Sequence, residues 1–172
     1  MALTILFKGI GYHQFVQSLQ NKSIVYSEIQ TNPTPFNSLL WTATVETEDT
    51  YLVGYYSLLE GDADVEFTSF KKNHELLGEM AKEDIVKRLI KLSDGWYIIT
   101  KGDGKVYFND MRFGQAGMND DPDSFVFSHE LWYDKGVLKV QQRQRPLKGF
   151  GNVLKSFFKR IGGKNNAEEN QL

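Results

Sequence analysis

Three residues of this chain are of types that could act together on a ligand: Asp110, Arg112 and His129. Asp110 and Arg112 stand two apart in Asn109-Asp110-Met111-Arg112-Phe113-Gly114. On a strand they share a face, close enough to pair or to share a partner. A carboxylate beside a guanidinium is most often a structural ion pair at a strand end, whereas at a pocket rim the same pair can hold an anionic ligand. His129 is in phase with Phe125, Phe127 and Leu131, which aims it at the core or at a cavity. There a buried, satisfied histidine is commoner than a base or a ligand. The three are weak catalytic candidates, and whether they converge on one concave site separates an enzyme or ligand-binding reading from a plainer one.

Other chemistries are poorly served. The chain has no Cys, which excludes disulfides, thiolate metal sites and cysteine nucleophiles. Its three histidines are scattered without ligand spacing, so no metal site is expected. His13 is uninformative, and His74, in Lys72-Asn73-His74-Glu75, reads as a solvated cap. Asn119, Asp120, Asp121 and Asp123 invite a calcium reading, but they lack the D-x-D-x-D-G spacing and the distal Glu, and Pro122 interrupts them. Gly102-Asp103-Gly104-Lys105 is a hairpin turn and not a phosphate loop, and no G-x-S-x-G elbow is present. Trp41, Tyr55, Tyr56, Trp96 and Trp132 could serve an apolar or sugar ligand, although aromatics on a sheet are usually core.

The elements that must position these residues read mainly as strands. Asn32-Pro33-Thr34-Pro35 is stiff and extended because each proline fixes its own φ and restricts the residue before it. Leu39, Trp41, Ala43 and Val45 then alternate with polar residues over a strand 39–46, which pairs with 50–58 in a hairpin. Further strands are expected at 24–30, 65–70, 96–101, 105–110, 125–133 and 137–143. Asp103-Gly104 and Asp134-Lys135-Gly136 supply the turns of the last two hairpins. Helices are expected at 1–20, with a partly regular stripe of Phe7, Ile10, Phe15 and Leu19, and at 82–92, a clean amphipathic pattern. A third is expected at 147–161. The predicted class is α+β: one antiparallel, curved sheet of about six or seven strands with helices packed on it. Trp41, Val45, Val53, Leu89, Ile99, Phe108 and Phe127 are its expected core. By position the chain reads as a helical lead-in over 1–22, a single domain over 23–163 and a polar tail over 164–172.

At 172 residues with 41% hydrophobic and 24% charged residues, this is the composition of an ordinary globular domain. The net charge of −2 conceals an asymmetry. Residues 1–138 hold 12 Lys/Arg against 20 Asp/Glu, whereas residues 139–164 hold 8 basic residues and no acid. An acidic body repels nucleic acid, so none is expected as a partner. The basic end carries an apolar stripe of Phe150, Val153, Leu154, Phe157, Phe158 and Ile161. Beside it, Lys148, Lys155, Lys159 and Arg160 could rest on anionic lipid headgroups, so an anionic membrane surface is a candidate partner. No run reaches the length of a membrane span. The leading helix reads as one that starts mid-protein, so a longer parent is expected.

Four segments in fixed order, Pro33-Thr34-Pro35-Phe36-Asn37-Ser38-Leu39-Leu40-Trp41, Val53-Gly54-Tyr55-Tyr56-Ser57-Leu58, Asn109-Asp110-Met111-Arg112-Phe113-Gly114 and Phe125-Val126-Phe127-Ser128, carry a resemblance. Over roughly residues 5–145 the chain resembles the soluble C-terminal region of a bacterial family of membrane-bound, metal-dependent hydrolase-like proteins. The resemblance implies membrane attachment in the parent, on the cytoplasmic face, with the preceding membrane region as partner. It also implies that any divalent metal belongs to that missing region, with no cofactor here. None of the family's metal ligands maps onto a residue of this chain. What is implied is a non-catalytic substrate- or partner-binding or regulatory domain. An enzyme using Asp110, Arg112 and His129, or an apolar- or sugar-binding module, is the alternative.

Overall fold

The computed structural model describes residues 2–34, 38–115, 125–143, 158 and 160–162, with side chains from residue 5 onward. Helix α1 (Ala2–Asn21) comes first, followed by β1 (Glu28–Pro33), β2 (Leu40–Glu46), β3 (Thr50–Ser57) and β4 (Phe67–Lys71). A 3₁₀ segment (His74–Lys82) leads into α2 (Asp84–Leu92). The strands β5 (Tyr97–Gly102), β6 (Lys105–Gln115), β7 (Phe125–Asp134) and β8 (Val137–Gln142) complete the order. The class is α+β with antiparallel pairing, but the strands form two four-stranded sheets, β1-β2-β3-β4 and β5-β6-β7-β8. This corrects the single sheet of six or seven strands. Alternation identifies each strand, but nothing in it dictates pairing across the non-strand residues 72–96, and there the ladder stops.

The chain divides into two compact units, Met1–Glu48 with Leu52–Ser69 and Gly149–Leu172, and Asp49–Tyr51 with Phe70–Lys148. In the first, β1 runs antiparallel to β2 with Ile29 opposite Val45 and Thr31 opposite Ala43. Phe15 and Leu19 of α1, one turn apart, are wholly buried with Trp41, Ala43, Val45, Tyr56 and Val65. The buried stripe of α1 runs through Gly11, Phe15 and Leu19, while Ile10 of the expected stripe is exposed. Gly11 lets the helix lie on the indole of Trp41: a Cβ there would stand 3.3 Å from the ring. The outer face of α1 is apolar as well, with Ile5 and Leu6 exposed.

In the second unit the two expected turns form as read. Asp103 and Gly104, and Lys135 and Gly136, all take positive φ, the backbone that a two-residue hairpin of right-handed twist requires. Ile99 faces Phe108 across β5–β6, and Phe108 faces His129 across β6–β7. Directly paired residues share a face, so Tyr97, Ile99, Val106, Phe108 and Leu131 line one side of the sheet. The 3₁₀ segment and α2 bury Leu77 and Val86 in the same cluster, with Leu89 and Ile90 packed partly against it. Leu92, placed by its spacing on the apolar face of α2, is 68% exposed. Phe127 is 37% exposed, which corrects its expected place in the core. Its strand partner is the carboxylate-bearing Asp110.

A candidate ligand cleft beside α2

Strand β6 extends to Gln115, beyond its expected end at Asp110. Its pairing with β7 is regular from Val106 opposite Leu131 to Asp110 opposite Phe127, and then shifts before Gln115 meets Phe125. A register shift of this kind bends the strand and re-aims its side chains. Gly114, at φ 63°, supplies the backbone conformation that costs other residues most. Phe113 is left half in solvent, edge-to-face with Phe127 at 4.8 Å.

The result is a cleft of about 230 Å³ lined by Leu89 and Leu92 of α2, Phe108, Asp110, Arg112 and Phe113 of β6, and Phe127 and His129 of β7. Asp110, Arg112 and His129 thus meet at one concave site. The first two pair directly: the Arg112 backbone N–H and Nε–H donate to Asp110 Oδ1 at 3.0 and 3.1 Å, and Nη2 donates to Oδ2 at 2.8 Å. Nη1 reaches Asp94 Oδ2 at 3.0 Å, in the turn after α2. Hydrogen bonding to Asp110 holds the guanidinium charged, raising its pKa against the opposing effect of burial. His129 is half-buried, and its Nδ1 lies out of solvent with no hydrogen-bond partner among the described residues. Burial lowers its pKa, and the neighbouring Asp110 charge opposes this.

This geometry sets what the cleft can do. Both oxygens of Asp110 are committed to Arg112, and a histidine base normally has a second group fixing its tautomer. Among the described residues, His129 Nδ1 has no such group. The cleft therefore offers apolar walls and an ion pair whose two charges match.

The remaining candidates lie elsewhere. Trp41 is buried and donates through Nε1 to the Ser38 carbonyl at 2.9 Å. Tyr56 is buried, with its hydroxyl donating to the Gly61 carbonyl at 2.7 Å. The Tyr55 carbonyl accepts from Arg160 Nη2 at 2.6 Å. Trp96 stacks on Tyr51, and Trp132 lies under Lys105 Nζ at 5.0 Å. These five aromatics are divided between the two units. Arg160 also donates to Glu60 in a largely buried ion pair. Lys148, Lys155 and Lys159 lie outside the described residues, as do the acidic stretch 119–123 and most of the helix expected at 147–161. His74 is not a solvated cap: its ring stacks on Tyr97 at 3.9 Å, and its Nε2 lies 2.7 Å from the Tyr97 carbonyl. No group of three metal-ligating side chains occurs among the described residues, and none of their helices is long and apolar enough to cross a membrane.

Sequence reasoning missed Leu92, Phe113 and Asp94 as parts of the site and assigned Phe108, Leu89 and Phe127 to core packing. Gly114 immediately after Phe113 was the available signal, since a glycine inside a strand marks a bulge. No protein-family model, curated protein or solved structure matches this chain.

Proposed function

We propose that this chain is a non-catalytic binding domain, the extramembrane part of a membrane-bound, metal-dependent hydrolase-like protein, and that its cleft beside α2 takes the ligand. The observation that carries the binding role is the meeting of Asp110, Arg112 and His129 on a cleft whose rim exposes Leu92, Phe113 and Phe127. Large apolar side chains grouped at a concavity with a few convergent polar groups are how small-molecule and anchor-residue sites are built. The engaged carboxylate favours binding over catalysis. The membrane-bound parent rests on the four resembling segments. Two of them, 109–114 and 125–128, supply Asp110, Arg112, Phe113 and Phe127 to the cleft.

Titration of the ¹⁵N-labelled full chain with small aromatic probes tests the binding role. Chemical-shift changes are expected at Leu89, Leu92, Phe108, Phe113, Phe127 and His129. Changes confined to α1 and β1–β3, or none, would overturn it. Fractionation of cells expressing the natural gene tests the membrane role, with the product expected in a pellet that survives a salt wash.

A further inference from the structure

A second concave surface lies beside α1, in the other compact unit. It is a groove of about 460 Å³, within the roughly 300–1,000 Å³ typical of small-molecule sites. Ile5, Leu6 and Ile10 form its apolar end and are 72%, 57% and 44% exposed. With Gly9 and His13 they share one face of the helix, since neighbours recur three and four residues apart. Gly9, midway along this face, has no neighbouring atom within 4 Å of where a Cβ would stand, so the groove is open there. The other end carries His13, Gln14, Tyr56 and Asp62. From Ile5 to His13 the helix rises about 12 Å, which separates the apolar end from the polar one.

The polar end is short of donors and holds a surplus of negative charge. Gln14 Nε2 donates to the Ala63 carbonyl at 2.8 Å, and the Tyr56 hydroxyl to the Gly61 carbonyl at 2.7 Å, so both are spent. In the same loop Glu60 is matched by Arg160, and Asp64 Oδ1 accepts from Asn21 at 3.0 Å. Asp62 is exposed at the rim, and among the described residues no basic side chain pairs with it. Its charge reaches Tyr56, whose pKa is raised first by burial and then by Asp62 and Glu60. Lys8, the only Lys or Arg of α1, does not line the groove. His13 is the one lining ring that can donate or accept. An anionic head would be repelled here, whereas a cationic one meets a carboxylate with no competing partner.

We infer that this groove binds a single-chain cationic amphiphile, its alkyl chain along Ile5, Leu6 and Ile10 and its ammonium group at Asp62. The occupant is a monomer from solution, since a groove of this volume receives one chain. The ¹⁵N-labelled full chain is titrated at pH 7.5 with n-octylamine, n-octanol and octanoate, each as dispersed monomer. Amide shifts are expected at Leu6, Gly9, Ile10, His13 and Asp62, while Leu92, Phe113 and Phe127 report the cleft beside α2 separately. Octylammonium should bind about fivefold more tightly than octanoate, because one exposed carboxylate attracts the first head and repels the second. In Asp62→Asn that ratio should fall to within about twofold while octanol binding is unchanged. His13→Gln should leave the ratio in place. Gly9→Leu fills the groove and should abolish the α1 shifts with all three compounds. If that variant does not fold, the shifts in the natural sequence decide alone. A ratio that survives Asp62→Asn, or is lost in His13→Gln, would overturn the assignment of the head to Asp62, as would octanoate bound as tightly as octylammonium. Binding retained in a folded Gly9→Leu, or no α1 shift with any compound, would overturn the groove as a site. Pelleting with neutral phosphatidylcholine vesicles in the absence of those shifts would assign the apolar face to a lipid surface and overturn the proposal.

Discussion

The two sheets meet their helical covers differently, and the difference locates the site. Strand β2, of 7 residues, is about 24 Å long, and α1, of 20 residues, is about 30 Å long. The helix is long enough to span the strand, and Trp41, Ala43 and Val45, on the face that meets Phe15 and Leu19, are buried. Strand β6, of 11 residues, is about 37 Å long, whereas α2, of 9 residues, reaches about 14 Å. The 3₁₀ segment adds to the cover, packing Leu76, Leu77 and Met80 with Tyr97, Ile99 and Phe108. Past Asp110 the pairing with β7 shifts and Phe113 is exposed, while Met111 stays buried. The exposed apolar residues Leu92, Phe113 and Phe127 lie around the ion pair and the histidine.

The sharpest way to break this comparison is to truncate a residue under the long helix. Trp41→Ala removes a side chain that is 1% exposed and touches the α1 stripe, and the expected loss is about 3–5 kcal/mol in urea unfolding. A loss near that of a rim residue would mean that α1 is not the cover described.

Arg160 gives the next largest effect. Its side chain is 13% exposed and that of its partner Glu60 5%, so Arg160→Ala should cost about 3 kcal/mol by leaving a buried carboxylate unpaired. The same unfolding measurement checks it. A loss under about 0.5 kcal/mol would fit the headgroup role that the basic cluster suggests from sequence.

Arg112→Ala strands Asp110 beside the cleft and should cost about 1–3 kcal/mol, less than Arg160 because Arg112 is 24% exposed. Asp110→Asn should cost less still, since an amide oxygen can accept from Arg112.

The smallest effect is a pH slope. Burial lowers the His129 pKa below its ordinary value of about 6.5, with Asp110 opposing. On acidification the unfolded chain therefore takes the proton first. Stability present above pH of about 6.5 should decline as the pH falls through and below that value. Asp110 and Arg112 of β6 face the ring, while α2 brings only Leu89 and Leu92. Unfolding midpoints of the natural chain and His129→Phe between pH 5 and 8 should differ in slope, the variant being flatter; parallel curves would contradict it.

The sequence made the elements legible where local chemistry decides them. Asp103-Gly104 and Lys135-Gly136 marked two hairpins because few residues accept positive φ, and β2 was plain from its alternating apolar residues. The Asp110–Arg112 pair was legible because two residues on one strand face must be neighbours. The division into two sheets was not, because pairing across 72–96 depends on packing that no local pattern encodes. Nor was the openness of the cleft. Phe127 and Leu92 have core residue types, and their exposure is set by tertiary packing that residue type does not encode. His74 was misread because its partner, Tyr97, lies 23 residues away.

The most direct test of the central claim, that the aromatics at the open end of β6 and β7 serve binding and not the fold, is the double variant Phe113→Ala/Phe127→Ala. Its unfolding free energy and its affinity for small aromatic probes are measured on the same preparation. The account predicts stability within about 1 kcal/mol of the natural chain, as for surface positions, together with loss of saturable binding. A loss of several kcal/mol with binding retained would show that the rim is core and that the ligand sits elsewhere.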